Sequence, residues 1–290
     1  MNTPRIALVT GASRGVGKGI AIALGAAGMT VYLSGRSASQ SDSRLRGQLL
    51  PGSLAETAEA VSRAGGQGIA VPCDHRDDEQ VRALFARIER EQGRLDLLVN
   101  NAALLHENLI DPGPFWEKPL DLVDILDVGL RSAYVASHYA APLLLKSGRG
   151  LIAFVSSYGA GCYMHGPAYG AQKAGVDKFA ADMAVDFEGR DVSVVSLWLG
   201  PQRTERTAIA GAARADQYEA FLAVAETPEF NGRVIHALLQ DPQLPALSGL
   251  TLVTAELAQG YGIREAEGRQ PPSYREMLGE PRKQHPARVI

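Results

Sequence analysis

The segment Thr10-Gly11-Ala12-Ser13-Arg14-Gly15-Val16-Gly17 separates an apolar run at residues 6–9 from a stretch of helical period that begins near Lys18. Its three glycines let the backbone turn tightly, so that N–H groups can approach a phosphate. The N-terminus of the following helix adds partial positive charge. A strand, a glycine-rich turn and a helix in this order are the context that a dinucleotide-binding motif requires. The segment therefore predicts a phosphate-binding loop, with a glycine turn that binds no ligand as the alternative.

Short apolar runs alternate with longer stretches of helical period along most of the chain, which is typical of βαβ units around a parallel sheet. The predicted strands cover residues 6–9, 30–34, 68–72, 95–99, 150–156, 192–199 and 248–253. The predicted helices cover residues 15–27, 53–64, 79–92, 120–146, 169–188 and 227–240. Together they predict a single Rossmann-type, doubly wound α/β domain, with a mostly parallel seven-stranded sheet and helices on both faces.

Two segments depart from this alternation. Residues 37–51 are polar and basic, and we expect them to form a loop beside the bound nucleotide. Residues 259–290 carry glycine, proline and charge with little apolar period. We expect them to form a C-terminal arm or tail outside the domain at residues 1–258, either ordered against a partner subunit or flexible.

The composition favours a small-molecule ligand over nucleic acid, because a formal net charge of −3 and a pI near 6.1 provide no field that would attract polyanions. Cys73 and Cys162 are too few for a disulfide framework and lack the CxxC spacing of zinc sites. The histidines show no HxxxH or HxH spacing, so no metal site is expected. The first residues lead directly into a predicted strand, and no apolar run approaches the roughly 20 residues that span a bilayer. We therefore expect a cytoplasmic protein.

The segment Tyr169-Gly170-Ala171-Gln172-Lys173 places a tyrosine and a lysine on the same face of a predicted helix. A free tyrosine has a pKa of about 10, and a lysine cation one turn away stabilises the phenolate and lowers that pKa. Upstream, the strand predicted at residues 150–156 ends beside two serines. A serine there can hydrogen-bond a carbonyl oxygen and orient it toward the tyrosine. We assign this role to Ser157, with Ser156 as the alternative.

The GxxxGxG spacing of the first loop, a serine after the fifth predicted strand and the YxxxK pair together resemble the short-chain dehydrogenase/reductase family over residues 5–257. The resemblance implies an NAD(P)-dependent enzyme acting on CH–OH groups, with Ser157, Tyr169 and Lys173 as its catalytic group. Asn100-Asn101-Ala102-Ala103 is similar to the family's NNAG motif, and Asp74 to its adenine-contacting acid. The cofactor-binding residues that the resemblance implies are Gly11, Ser13, Arg14, Val16, Gly17, Asp74, Asn101, Tyr169, Lys173 and Thr204.

Two segments depart from the common family pattern. Val128-Gly129 lies where most members have a helical asparagine, so the side-chain amide is missing. Gly129 is either a packing glycine or a backbone position for a water-linked proton relay on a kinked helix. Together with Ser196-Leu197-Trp198, residues 128–131 resemble the subgroup of the dehydrogenase/reductase member 1 type. This resemblance implies a bulky hydrophobic carbonyl substrate, steroid-like compounds included, and the family implies a homo-oligomer, a dimer or a tetramer.

The end of the second predicted strand bears on the choice of cofactor. An NAD enzyme of this fold presents an acidic side chain there to the ribose 2′-OH, and that carboxylate would repel a 2′-phosphate. Here Arg36 follows the strand and Arg14 lies in the glycine loop, so two guanidinium groups can bind the phosphate of NADP. The alternative is that Arg36 is a solvated surface charge.

These features predict an NADP(H)-dependent oxidoreductase that interconverts a carbonyl and an alcohol by hydride transfer, with NAD as the less favoured cofactor. A 3-oxoacyl thioester reductase is the alternative enzyme. A nucleotide-binding regulatory protein on the same fold is the alternative of another class. The presence of Ser157, Tyr169 and Lys173 disfavours it, because a sensor has no need of a proton-transfer group.

Overall fold

The computed structural model describes residues 4–39, 43–45, 47–213 and 215–289. Its strands are numbered along the chain, and all except β3 and β4, which were not predicted, begin and end close to the predicted positions. They are β1 (Ile6–Thr10), β2 (Thr30–Gly35), β3 (Arg44–Leu45), β4 (Gln48–Leu49), β5 (Gln67–Pro72), β6 (Leu97–Asn100), β7 (Gly150–Ser157), β8 (Val192–Leu199) and β9 (Thr251–Val253). The strands β3 and β4 form a short antiparallel hairpin, and the other seven form one parallel sheet in the order β5-β2-β1-β6-β7-β8-β9. The predicted seven-stranded Rossmann-type sheet is therefore confirmed.

The helices flank this sheet. They are α1 (Gly15–Ala26), α2 (Leu54–Arg63), α3 (Asp78–Gln92), α4 (Ser132–Leu145), α5 (Pro167–Asp186), α6 (Glu205–Ala213), α7 (Ala215–Val224), α8 (Pro228–Gln240), α9 (Leu244–Leu247), α10 (Thr254–Gly260) and α11 (Arg275–Leu278). Every residue of β1 and of β8 is buried, as expected for strands covered on both faces. One face packs against α1, α2 and α8, and the other against α3, α4 and α5.

The order of the strands places a ligand crevice beside β1. Strands β2 and β5 lie on one side of β1, and β6 to β9 lie on the other. The chain therefore reverses its direction of progress across the sheet between β1 and β6. Ligands of open α/β sheets bind at such a switch point, outside the carboxyl ends of the strands. The glycine loop follows β1 at this point.

The helix predicted over residues 120–146 is wrong in its first half. A 3₁₀ turn at Leu120–Ile125 and a π-helical turn at Asp127–Arg131 precede α4, which begins at Ser132. The break lies at Gly129, whose φ of 144° belongs to a region that favours glycine. Its N–H group donates to the Ser132 hydroxyl at 3.0 Å instead of continuing the helix. The apolar period alone could not show this break.

Two segments outside the predicted elements have structure of their own. The predicted loop at 37–51 contains the β3–β4 hairpin, and residues 40–42 and 46 of it lie outside the described residues. The C-terminal segment packs against its own chain: the Tyr274 N–H donates to the Tyr158 hydroxyl at 2.9 Å, and Arg275 pairs with Glu256 at 2.7 Å. Across the described part of the chain, every helix is too short or too polar to cross a bilayer.

Candidate active site

A cavity of about 590 Å³ lies at the carboxyl ends of β1, β2, β6 and β7. It brings together residues that are distant in sequence, from the glycine loop to the start of α5. All the residues that the sequence predicts for catalysis or cofactor binding line it. They are Gly11, Ser13, Arg14, Val16, Gly17, Arg36, Asp74, Asn101, Ser157, Tyr169, Lys173 and Thr204.

The glycine loop has the backbone shape that a phosphate site needs. Gly11 and Gly15 have φ values of 66° and 56°, and a Cβ at Gly17 would lie 2.5 Å from the Gly11 carbonyl oxygen. Larger residues would therefore be strained or would collide here. The Asn101 side chain supports the loop, because its Nδ2 donates to the Thr10 carbonyl at 2.8 Å and to the Gly11 carbonyl at 3.2 Å.

A carboxylate lies at the N-terminus of α1. Oε2 of Glu205, from α6, accepts a hydrogen bond from the Gly15 N–H at 2.9 Å. The first turn of α1 has no acidic residue, and its N-cap residue Arg14 makes no side-chain capping bond. Glu205 therefore stands where a helix N-terminus would bind an anionic ligand. No sequence motif indicates this contact, which joins residues 190 positions apart.

Ser157 and Tyr169 form the polar centre at the other end of the cavity. Their hydroxyl oxygens lie 2.9 Å apart, with Ser157 at the end of β7 and Tyr169 in the first turn of α5. The neighbouring hydroxyl of Ser156 donates instead to the Lys173 carbonyl at 3.3 Å. Of the two serines, Ser157 therefore faces the tyrosine.

Lys173 is buried beside this pair. Its ammonium donates to the Val155 carbonyl at 3.1 Å and lies 5.5 Å from the centroid of the Tyr169 ring. Burial lowers the pKa of Lys173 to about 8, although the charge of Asp177 acts in the opposite direction.

The pKa of Tyr169 differs from the sequence-based expectation. The YxxxK pair predicts a lowered pKa, but burial raises the pKa of Tyr169 above its ordinary value, and the Ser157 hydrogen bond opposes this only in part. The physical reason is that moving a phenolate out of water costs more free energy than one hydrogen bond from a hydroxyl group provides. The phenol is therefore held in its protonated form.

Gln172, which the sequence did not single out, fills the space beside Gly129. Its Nε2 donates to the Gly129 carbonyl at 2.9 Å, and its Cγ would lie 3.1 Å from a Cβ at position 129. The side chain of Gln172 is buried. A glycine at 129 thus has a packing reason, and its carbonyl oxygen has a protein partner.

The adenosine end of the cavity carries two arginines in different situations. The Arg14 guanidinium donates to the Pro51 and Gly52 carbonyls at 3.0 and 2.9 Å and to the Ser37 hydroxyl at 2.9 Å. It therefore holds the segment after β2 against the glycine loop. Arg36 is exposed at the rim, and within the described residues its guanidinium makes no hydrogen bond or ion pair.

A third arginine, Arg206 of α6, also lines the cavity and was missed by the sequence motifs. Its Nη2 donates to the Leu105 carbonyl at 3.0 Å, across the mouth of the cavity. Thr204, just before α6, lies beside the glycine loop, where its Cγ2 would be 3.6 Å from a Cβ at Gly15. The segment that leads into α6 therefore closes one side of the cavity.

The fold and this arrangement define a class of protein, and comparison with known families agrees. The model of the short chain dehydrogenase family matches residues 5–215. The chain belongs to the short-chain dehydrogenase/reductase family and is an oxidoreductase that acts on CH–OH groups with a nicotinamide cofactor.

Individual relatives narrow the subgroup. The chain is 38% identical over 281 residues to dehydrogenase/reductase SDR family member 1 of Homo sapiens. The aligned residues cover 93% of this chain and 86% of the relative. This likeness confirms the subgroup predicted from residues 128–131 and Trp198. A 3-oxoacyl-[acyl-carrier-protein] reductase of Synechocystis is 30% identical over 251 residues, covering 86% of this chain and 94% of the relative. A putative dehydrogenase from Xanthomonas campestris has a similar structure, with a TM-score of 0.75, 26% identity and coverage of 92% and 93%.

Proposed function

We propose that the protein is an NADP(H)-dependent oxidoreductase that interconverts a carbonyl and an alcohol on a bulky hydrophobic substrate. The observation that carries this proposal is the 2.9 Å contact between the Ser157 and Tyr169 hydroxyls, in the same cavity as the glycine loop. This arrangement supports the assignment of a proton donor beside a site for a nicotinamide. The small-molecule substrate enters that cavity, and no part of the proposal requires a nucleic acid or a metal ion.

The chain's own residues handle the substrate oxygen. The Ser157 hydroxyl hydrogen-bonds that oxygen and fixes its direction. The Tyr169 phenol donates its proton to the oxygen during reduction and accepts it back during oxidation. The buried ammonium of Lys173 stabilises the phenolate left by proton donation. When bound, the nicotinamide supplies or accepts the hydride at the carbonyl carbon.

The residues of the loop fit such a cofactor. The glycines leave room for a diphosphate. The N-terminus of α1 already binds one anionic group, the carboxylate of Glu205, so it is suited to an anion. The end of β2 carries Arg36 and no acidic side chain, which favours the 2′-phosphate of NADP over the free ribose of NAD. Arg14 supports this end of the site indirectly, by holding Ser37 in place.

The substrate side of the cavity supports a hydrophobic compound. Leu104, Leu105 and Leu199 line the same cavity as Tyr169. Such a wall favours a substrate with a large apolar body around its carbonyl group. A 3-oxoacyl thioester is the second candidate substrate, supported by the 30% identity to the Synechocystis reductase and by the cationic Arg206 in the cavity, which suits an anionic carrier group.

A substrate screen tests the proposal. Purified protein is mixed with aldehydes, free ketones, including steroids, and 3-oxoacyl thioesters, each with NADPH and with NADH, and oxidation of the cofactor is followed at 340 nm. Reduction of bulky ketones with NADPH is expected. Faster reduction of thioesters would favour the second candidate, and failure to reduce any carbonyl compound with either cofactor would contradict both.

Replacement of Glu205 by glutamine is expected to strengthen the binding of NADPH. The change removes the negative charge that competes with the cofactor diphosphate for the Gly15 N–H. A charge at a helix N-terminus is worth about 0.3–1 kcal/mol, which corresponds to a decrease in Kd of roughly two- to fivefold. Fluorescence titration of NADPH measures the effect without turnover. Glu219→Gln, an exposed position on α7, is the matched control, and a Kd that is unchanged or higher in Glu205→Gln would contradict the competition.

The variant Gly129→Asn is expected to lower the free energy of unfolding by about 1–3 kcal/mol and not to raise kcat. The Cβ of the asparagine would lie 3.1 Å from Cγ of Gln172, and its backbone would have to keep a φ of 144°. Urea denaturation and turnover are measured together. Gly148→Asn is the control, because its φ is 73° and a Cβ there meets nothing within 4 Å. A stable Gly129→Asn enzyme with faster turnover would show that the glycine is a catalytic defect.

A further inference from the structure

Trp198, which belongs to the segment that marks the subgroup, hydrogen-bonds a buried acid behind the catalytic group. Its indole N–H donates to Oδ2 of Asp177 at 2.8 Å, and the Ser196 hydroxyl donates to Oδ1 at 2.5 Å. All three side chains are buried. A carboxylate in such surroundings costs free energy unless its oxygens are hydrogen-bonded. Strand β8 thus supplies two donors to a buried acid of α5.

Asp177 lies on the same face of α5 as the catalytic pair. Tyr169, Lys173 and Asp177 follow one another at intervals of four residues, so their side chains point to one side of the helix. The three positions run from the mouth of the cavity into the protein. Asp177 therefore lies behind Lys173, on the side away from the substrate.

The charges around Lys173 come from few elements. On α5 its neighbours are Tyr169 and Asp177, and from β7 it meets the Val155 carbonyl. Burial raises the pKa of Asp177, and the hydrogen bonds of Ser196, Ser156 and Trp198 together with the charge of Lys173 oppose this rise. The negative charge of Asp177 makes the lysine cation more favourable, whereas burial makes it less favourable.

Further titratable groups surround Tyr169 itself. The charge of Cys162 contributes to the raised pKa of the Tyr169 phenol, and the centroids of the His165 and Tyr169 rings lie 5.1 Å apart. The charge of Lys118 contributes to the lowered pKa of His165. None of these three groups acts on Lys173 in the described part of the chain, so the ionisation of the lysine depends on Asp177 and not on this outer set.

We propose that Asp177 is a positioning residue that keeps Lys173 in its ammonium form, and that Ser196 and Trp198 keep Asp177 ionised. The inference deepens the proposed function and rests on it, because Lys173 acts on the reaction through the Tyr169 phenol. Asp177 touches neither substrate nor cofactor in this mechanism. Its loss changes the pH range in which Lys173 carries a charge.

The first test reads the lysine directly. The chain contains six lysines, few enough to resolve by NMR after labelling with [ε-¹³C]lysine, and Lys173→Met assigns the signal. In Asp177→Asn the pKa of Lys173 is expected to fall by about 1–2 pH units from its wild-type value, as for the loss of a nearby opposite charge. Leu238→Ala, a buried position on α8 far from this charge, is the control for lowered stability and should leave that pKa unchanged.

The second test reads the reaction. Carbonyl reduction is expected to decline at alkaline pH as Lys173 loses its proton, and in Asp177→Asn this decline begins about 1–2 pH units lower. An unchanged pKa and an unchanged alkaline limb in a folded Asp177→Asn protein would overturn the proposal while leaving the proposed function intact. A shifted lysine pKa in a protein that reduces no carbonyl compound would refute the proposed function instead.

The wild-type protein provides a check that needs no variant at position 177. Labelling with [4-¹³C]aspartate shows whether the Asp177 carboxyl is ionised at pH 7. An ionised carboxylate is expected, because Ser196 and Trp198 both donate to it. A protonated Asp177 at pH 7 would overturn the proposal even if Asp177→Asn does not fold.

Discussion

Tyr169→Phe is expected to lower kcat for carbonyl reduction by about 10²–10⁴-fold, while the fold and NADPH binding are retained. The substitution removes only the phenolic oxygen, 2.9 Å from the Ser157 hydroxyl, and keeps the ring that packs against Leu122 and Ile125. The proton needed by the substrate oxygen then has to come from water. Single-turnover measurements with saturating NADPH separate this loss from any change in binding.

A second tyrosine in the same region provides the control. Tyr163 is 83% exposed, and Tyr163→Phe removes an equivalent oxygen from the loop before α5. Its kcat is expected to match that of the wild type. Near-normal turnover in Tyr169→Phe, with the control also normal, would mean that Tyr169 is not the proton donor.

For the cofactor, Arg36→Asp is expected to raise the Kd for NADPH at least about tenfold and to erase or reverse its preference over NADH. The guanidinium is exposed at the rim of the cavity, and each charge-assisted hydrogen bond that it makes to a 2′-phosphate contributes roughly 1.5–3 kcal/mol. The aspartate adds repulsion to this loss and can accept hydrogen bonds from the ribose hydroxyl of NADH. Fluorescence titrations of both reduced cofactors into wild type and variant measure the four constants.

The matched control for this charge reversal is Arg63→Asp at the end of α2, an exposed arginine paired with Glu59. It changes the net charge equally, but outside the cavity. Both cofactors should bind it as they bind the wild type. Equal affinities for NADPH and NADH in the wild-type protein would refute the NADP assignment without affecting the roles of Ser157 and Tyr169.

The sheet could be predicted because each strand can be recognised from its own short run of apolar residues. A strand such as β8, apolar at nearly every position, has no other way to bury both faces, and the glycine loop after β1 marks the first crossover. Elements with little apolar period, such as α6, α7 and α11, could not be found in this way. The apolar period did not show the break at Gly129, because a helical period continues on both sides of it.

The candidate site was predictable as far as its motifs reach. Residues within one motif share an element, so the spacing of Tyr169 and Lys173 already places them together. Glu205 and Gln172 act through partners on other elements, and Asp177 receives both of its β8 donors across the fold, at separations that no local pattern encodes. The pKa of Tyr169 is of the same kind, because it depends on how deeply the whole fold buries the phenol.

The hydrogen bond from Tyr274 to Tyr158 shows that residues beyond the end of the sheet support the candidate active site. Tyr158 directly follows Ser157, and its ring packs between Trp198 and Tyr274. The last strand of the sheet ends at Val253. The turn that carries Ser157 is nevertheless supported by Tyr274, some twenty residues after that strand. A chimaera that joins this sheet to a foreign C-terminus would therefore lose part of the support of the turn that carries Ser157, even though it keeps every residue that lines the cavity.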